Sequence, residues 1–176
     1  MELLIITQKV DLVDPILGFF HRWIEKFAHH FERVEVIALE VREHNLPANV
    51  SVHSLGKEKG YGRLHRAIFY ILYSIFLRYD AVFVHMNPEY LALFGWYWKL
   101  MGKRTALWYT HKSVTWWLCL AEKFADKIFT ASRESFRLPS RKVEIIGHGI
   151  EMELFIRTQE HKNKFTIIIG RKNSIQ

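Results

Sequence analysis

Seven short apolar runs punctuate this chain, and segments with helical spacing separate most of them. Leu3-Leu4-Ile5-Ile6 is the first, followed by Val34 to Leu39, Val50 to Leu55, Ala81 to Val84, Arg104 to Trp108, Lys127 to Thr130 and Val143 to Ile146. Continuous apolarity over so few residues suits strands buried on both faces. Between them, apolar side chains recur at helical intervals. Pro15 to Phe31 carries Ile16, Phe19, Phe20, Trp23, Ile24 and Phe27, with Asp14 placed to cap it and Pro15 at its first position. Gly62 to Tyr79, Pro88 to Met101 (stopped by Gly102), Val114 to Phe124 and Ser132 to Leu138 read the same way. Alternation of this kind predicts a mostly parallel α/β sheet of about seven strands, with right-handed crossovers and helices on both faces.

Composition narrows what such a fold can do. With 176 residues and 49% hydrophobic content, the chain can bury a real core and is not disordered. One cysteine, Cys119, excludes an internal disulfide and favours a reducing, cytoplasmic setting. It sits among Trp117, Leu118 and Leu120 on a helix, where a packed thiol is expected. No signal peptide is readable, and the longest apolar run, Ala67 to Leu77, falls short of the ~20 residues that cross a bilayer. There is no C-x-x-C pair, H-E-x-x-H helix or D-x-D, so neither a metal site nor a cofactor is expected. The formal charge of +7, from 25 basic and 18 acidic residues, favours phosphate-bearing partners. No recognition-helix or RNA-binding signature accompanies it, so nucleic acid is not expected among them.

The chemistry is expected in polar turns that close the strands, because open α/β sheets bind ligands there. Thr110-His111-Lys112-Ser113 follows Trp108-Tyr109 and opens onto a helix. His85, Asn87 and Glu89 lie around Pro88, where they can line a pocket, although Asn87 also suits a helix cap. Gly147-His148-Gly149-Ile150-Glu151 closes the last run, with Gly149 allowing backbone conformations that other residues resist. An imidazole that donates or accepts near neutral pH suits sugar hydroxyls and developing charge. Lys112 can bind anions, and Ser113 can cap the following helix.

These motifs occur in an order that resembles a known family. Asp80 to Met86, Trp108-Tyr109-Thr110-His111, Ile128 to Ser132, Ile146 to Glu151, Glu153-Leu154-Phe155 and Ile169-Gly170-Arg171 together look like the amino-terminal half of a family 4 glycosyltransferase, which has two facing Rossmann-like domains. The resemblance implies a Rossmann-like, acceptor-side domain over residues 1–156. It implies a retaining, metal-independent transfer from a nucleotide-sugar donor to a carbohydrate or lipid-linked acceptor. His111 would be the catalytic-site histidine, touching the transferred sugar or orienting the acceptor. Gly18, His85, Asn87, Lys112, Gly149 and Glu151 would line the substrate site. Relatives carry a glycine-rich turn near Gly18 that approaches the donor's phosphates; here the glycine is single, and it can equally serve helix packing. Residues 157–176 read as a linker and the start of a second, donor-binding domain that is expected to be missing, which leaves the chain inactive alone or completed by a partner in trans.

One segment points elsewhere. In Gly62 to Tyr79, Leu64, Ile68, Ile71, Leu72, Ile75 and Phe76 read as the core face, and Phe69, Tyr70, Tyr73 and Leu77 form a second apolar side. A surface helix needs only one. With Lys57, Lys59, Arg63 and Arg66 nearby, the second side suits an anionic membrane surface, on which the chain would sit peripherally at the inner face. Trp96, Tyr97, Trp98, Lys99, Lys103 and Arg104 form a similar aromatic and basic group. A non-catalytic membrane-surface or assembly module is thus the alternative function.

Overall fold

Each apolar run becomes a strand in the computed structural model, which describes residues 1–147. The strands are β1 (Glu2–Val10), β2 (Arg33–Val41), β3 (Val50–Ser54), β4 (Ala81–His85), β5 (Arg104–Trp108), β6 (Lys127–Thr130) and β7 (Val143–Ile145). The helices are α1 (Gly18–Ala28), α2 (Arg63–Phe76), α3 (Pro88–Leu100) and α4 (Trp116–Phe124). All seven strands pair in parallel, in the order β3-β2-β1-β4-β5-β6-β7. This is the expected α/β, Rossmann-like sheet. Chain progression reverses between β1 and β4, so the switch point of the sheet lies there. Met1–Ile146 form one compact unit; the expected boundary at residue 156 lies outside the described residues.

Strand parity divides the core in two. Leu4, Ile6, Val82, Val84, Leu107 and Ile128 face α2, α3 and α4. Leu3, Ile5, Val34, Val36 and Phe83 face α1, which supplies Phe20, Ile24 and Ala28. Among the described residues, α1 is the helix on that face. Beyond its carboxyl end, beside the starts of β4 and β5, lies an apolar cavity of about 730 Å³ lined by Phe27, Phe31, Phe83, Ala106 and Phe129.

Three expectations change. The first helix begins at Gly18 rather than Pro15, although Asp14 caps the turn that leads into it, its carboxylate accepting from the Ile16 and Leu17 amides (2.9 and 2.7 Å). Ser132 to Leu138 forms turns instead of a helix; Ser132 Oγ accepts from the Ser135 amide, and such side-chain bonding competes with helical pairing.

The third correction concerns α2, whose orientation is the reverse of the expected one. Leu64, Ile68, Ile71, Leu72, Ile75 and Phe76 are exposed, while Tyr70 and Ser74 are buried and Phe69, Tyr73 and Leu77 pack against the core. The aromatic side wins because its rings have partners. Tyr70 Oη donates to the Tyr90 carbonyl at 2.8 Å, and its ring lies 4.7 Å from Tyr90 and 5.5 Å from Phe94.

Candidate functional site

The carboxyl ends of β1, β4 and β5 meet at the switch point, and β1 and β4 are tied across it by side chains. Thr7 Oγ1 bonds His85 Nδ1 at 3.1 Å, and Gln8 Nε2 donates to Asn87 Oδ1 at 2.9 Å. Met86 between them has a left-handed backbone (φ 62°), unusual outside glycine. Its amide donates to the Trp108 carbonyl at 2.8 Å. Its sulfur accepts from both the amide and the hydroxyl of Thr110, each at 3.3 Å. The turn after β4 is thereby fixed against the turn after β5. Thr7, Gln8 and Met86 were not singled out from the sequence, and for Met86 no sequence signal exists, since its contribution is backbone geometry.

His111 is exposed just past the carboxyl end of β5, next to the Thr110–Met86 contact. Its Nδ1 accepts from the Ser113 amide at 3.1 Å, and the Ser113 carbonyl in turn accepts from Tyr109 Oη at 3.0 Å. Tyr109 is buried against Phe136, and burial, followed by the nearby Glu89 carboxylate, pushes its hydroxyl above the ordinary tyrosine range. The Tyr109 phenol thus fixes the Ser113 peptide whose amide holds the imidazole. With Nδ1 accepting, a neutral ring carries its proton on Nε2, which leaves that nitrogen as a donor for a ligand. Lys112 is exposed beside it. Ser113 does not cap the helix that follows; Thr115 does, its side chain accepting from the Leu118 amide.

His85 occupies the opposite kind of environment. It is 1% exposed, stacks on Phe20 at 3.9 Å and 14°, and touches Phe19 and Trp23 edge-on. Burial pushes its pKa down to about 3, so the ring is neutral. Its side chain faces the α1 core instead of lining an open pocket, and its Nε2 has no hydrogen-bond partner among the described residues. Asn87 takes the N-cap position of α3, with Pro88 in the first turn, yet its side chain makes no cap bond and reaches Gln8 instead.

Gly18 starts α1, and its amide donates to the Asp14 carbonyl at 3.0 Å. A Cβ there would sit 3.1 Å from the Leu12 carbonyl oxygen, so the glycine serves a close backbone approach and not helix–helix packing. The amides a phosphate would seek, those of Ile16 and Leu17, already serve Asp14. Lys9 sits 2.6 Å from Asp14 and 3.1 Å from Asp11. The Lys9 hydrogen bond and those two amides hold the Asp14 carboxyl down at about 2. This turn carries its own anion and does not present an open phosphate cradle. Gly149 and Glu151 lie outside the described residues. Among the described residues no group of three metal-ligating side chains occurs.

The fold has solved counterparts. A crystal structure of Anabaena Alr3699/HepE in complex with UDP aligns with 14% identity and a TM-score of 0.54, over 88% of this chain and 46% of that one. The same protein with UDP and glucose aligns with a TM-score of 0.56, 14% identity and the same coverage. UDP-GlcNAc 2-epimerase from Methanocaldococcus jannaschii aligns at 11% identity and a TM-score of 0.53, over 84% of this chain and 45% of that one. The chain therefore spans less than half of each of these structures. At such identities the likeness establishes the fold, a Rossmann-like α/β domain, and nothing finer. No protein-family model matches the sequence, and no curated protein is significantly similar to it.

Proposed function

We propose that this chain is the acceptor-side domain of a retaining glycosyltransferase resembling family 4, and that it works with a donor-binding domain supplied beyond the described residues or by a partner in trans. The observation that carries this reading is His111: exposed at a strand's carboxyl end, beside the switch point, with Nδ1 occupied by a backbone amide and Nε2 left to donate. Such a donor suits the ring or hydroxyl oxygen of a transferred sugar. Lys112 adds a positive charge beside it, where an anionic leaving group would develop. The occurrence of UDP and glucose in structures of like fold supports the assignment to sugar-nucleotide chemistry. Gln8, Asn87 and Met86 position the crevice wall and are not assigned contact with the reacting atoms.

The test is a pair of titrations followed through the His111 ring and Thr110 amide signals by nuclear magnetic resonance. A panel of monosaccharides, glucose first, is expected to shift both signals, and UDP alone, whose grip belongs to the other domain, is expected to leave them in place. His111→Ala is expected to abolish the saccharide response with the fold intact. Silence toward every saccharide, or a response to UDP alone, overturns the acceptor-side reading. Measurable turnover of UDP-glucose by the chain alone overturns the dependence on a second domain.

A further inference from the structure

We propose that the outward face of α2 is a docking surface for an anionic lipid bilayer. In its 14 residues the helix exposes Leu64, Ile68, Ile71, Leu72, Ile75 and Phe76, with Leu64 and Phe76 at its two ends exposed by 72% and 77%. At 100° per residue these six fall on one continuous side, opposite Tyr70 and Ser74. A helix that belongs to the surface of a soluble domain turns its apolar stripe inward. Here the stripe faces outward, and the inner side is filled by Phe69, Tyr70 and Tyr73, with the Tyr70 hydroxyl bonded to the Tyr90 carbonyl.

The neighbouring helix repeats the pattern. α3 packs beside α2 through Tyr70, Tyr90 and Phe94, and exposes Leu93, Trp96 and Leu100 at helical spacing. An exposed apolar area on two adjacent helices exceeds the scattered single residues that surfaces tolerate.

Charge selects the occupant. Between Glu58 and Asp80 the sequence holds no acidic residue, yet it holds Lys59, Arg63, Arg66 and Arg78. Lys59 and Arg63 are exposed at the start of α2, Arg78 is exposed just past its end, and Lys99 is exposed near the end of α3. Along α2 the apolar side chains are bracketed by cations with no carboxylate on the helix, which matches a layer of acyl chains beneath anionic headgroups. Glu89 shares the exposed side of α3 with Leu93, Trp96 and Leu100, and Glu2, Glu32 and Asp80 gather beside Ile75 and Arg78. Trp96 adds a ring of the kind that settles at the headgroup level. Among the described residues no helix is long and apolar enough to cross a membrane, so the contact is one of lying on the surface. The inference does not depend on the glycosyltransferase reading, since α2 can bind lipid whatever the crevice binds.

Sedimentation with sucrose-loaded vesicles tests it. The chain is expected to pellet with vesicles of phosphatidylcholine containing 30% phosphatidylglycerol, to pellet at least tenfold less with phosphatidylcholine alone, and to release as salt rises. Ile71→Gln/Ile75→Gln is expected to weaken pelleting at least tenfold with an unchanged thermal transition. Lys59→Gln/Arg63→Gln is expected to flatten the salt dependence. No pelleting by the parent chain overturns the proposal, and so does undiminished pelleting by the isoleucine pair. A self-associated parent chain that this pair returns to monomer, without lipid binding, overturns it too, because a second copy then owns the face.

Discussion

Helices α1 and α2 are both amphipathic in sequence, and the fold uses them in opposite ways. α1 turns Phe20, Ile24 and Ala28 inward onto β1 and β2, as the apolar stripe of a surface helix should. α2 turns Tyr70 and Ser74 inward and leaves its isoleucines outside. The difference shows that hydrophobicity alone does not choose the buried face. A ring with a hydroxyl that finds a carbonyl beats aliphatic side chains of similar size when both compete for one interface. What α1 hides is core; what α2 displays is available for a partner.

The largest effect that separates the two helices is a polar substitution on each. Ile24 is fully buried, so Ile24→Asp puts a carboxylate into an apolar interface and is expected to cost at least about 4 kcal/mol, enough to leave little folded protein. Ile71→Gln, on the exposed side of α2, is expected to change stability by less than about 1 kcal/mol. Urea denaturation of both variants decides the matter. Equal losses would mean that the α2 isoleucines are covered in solution, and the contrast would disappear.

Acid sharpens the comparison next, because the inner side of α1 holds a buried titratable ring against Phe20. His85 has a folded pKa near 3 against 6.5 for the free side chain. Between those values the unfolded chain binds a proton that the folded chain refuses. Stability is therefore full above about pH 6.5 and falls as pH drops toward 3, by roughly 3 kcal/mol at pH 4. His85→Gln is expected to flatten this limb in denaturation curves measured from pH 7 to pH 4. The remaining slope comes from His21, whose pKa burial also lowers, and near pH 4 from Glu40, Glu58 and Glu134, which are held below their ordinary 4.5, while Asp14, held at about 2, contributes mostly below its ordinary value of 3.8. A variant as acid-sensitive as the parent would show that His85 is hydrated and charged. α2 has no buried histidine, so no matching limb is expected from it.

The sheet was legible because a two-face-buried strand must be apolar throughout, and Leu3 to Ile6 or Ala81 to Val84 admit few other readings. His85 was read as lining a pocket, whereas strand parity puts it on the α1 side of β4 with Phe83, where it is buried. His111 lies past the end of β5, where parity no longer applies, and the strand-end rule placed it there. The left-handed Met86 and the Lys9 pairing of the Asp14 cap before Gly18 were not legible. One depends on backbone geometry, and the other on Lys9 and Asp14 meeting in space.

The smallest effect tests why α2 lies as it does. Tyr70→Phe keeps the ring against Tyr90 and Phe94 and removes only the hydroxyl that donates to the Tyr90 carbonyl. If that hydrogen bond helps the aromatic side win, the variant should lose about 1 kcal/mol, the Tyr90 carbonyl keeping its helical partner and losing only the second. The same variant should leave vesicle pelleting unchanged, since Tyr70 is on the side away from lipid. A neutral change in stability would assign the orientation of α2 to ring packing alone. A change in pelleting without one in stability would mean that α2 rotates on its axis, and the division between its hidden and displayed sides would have to be redrawn.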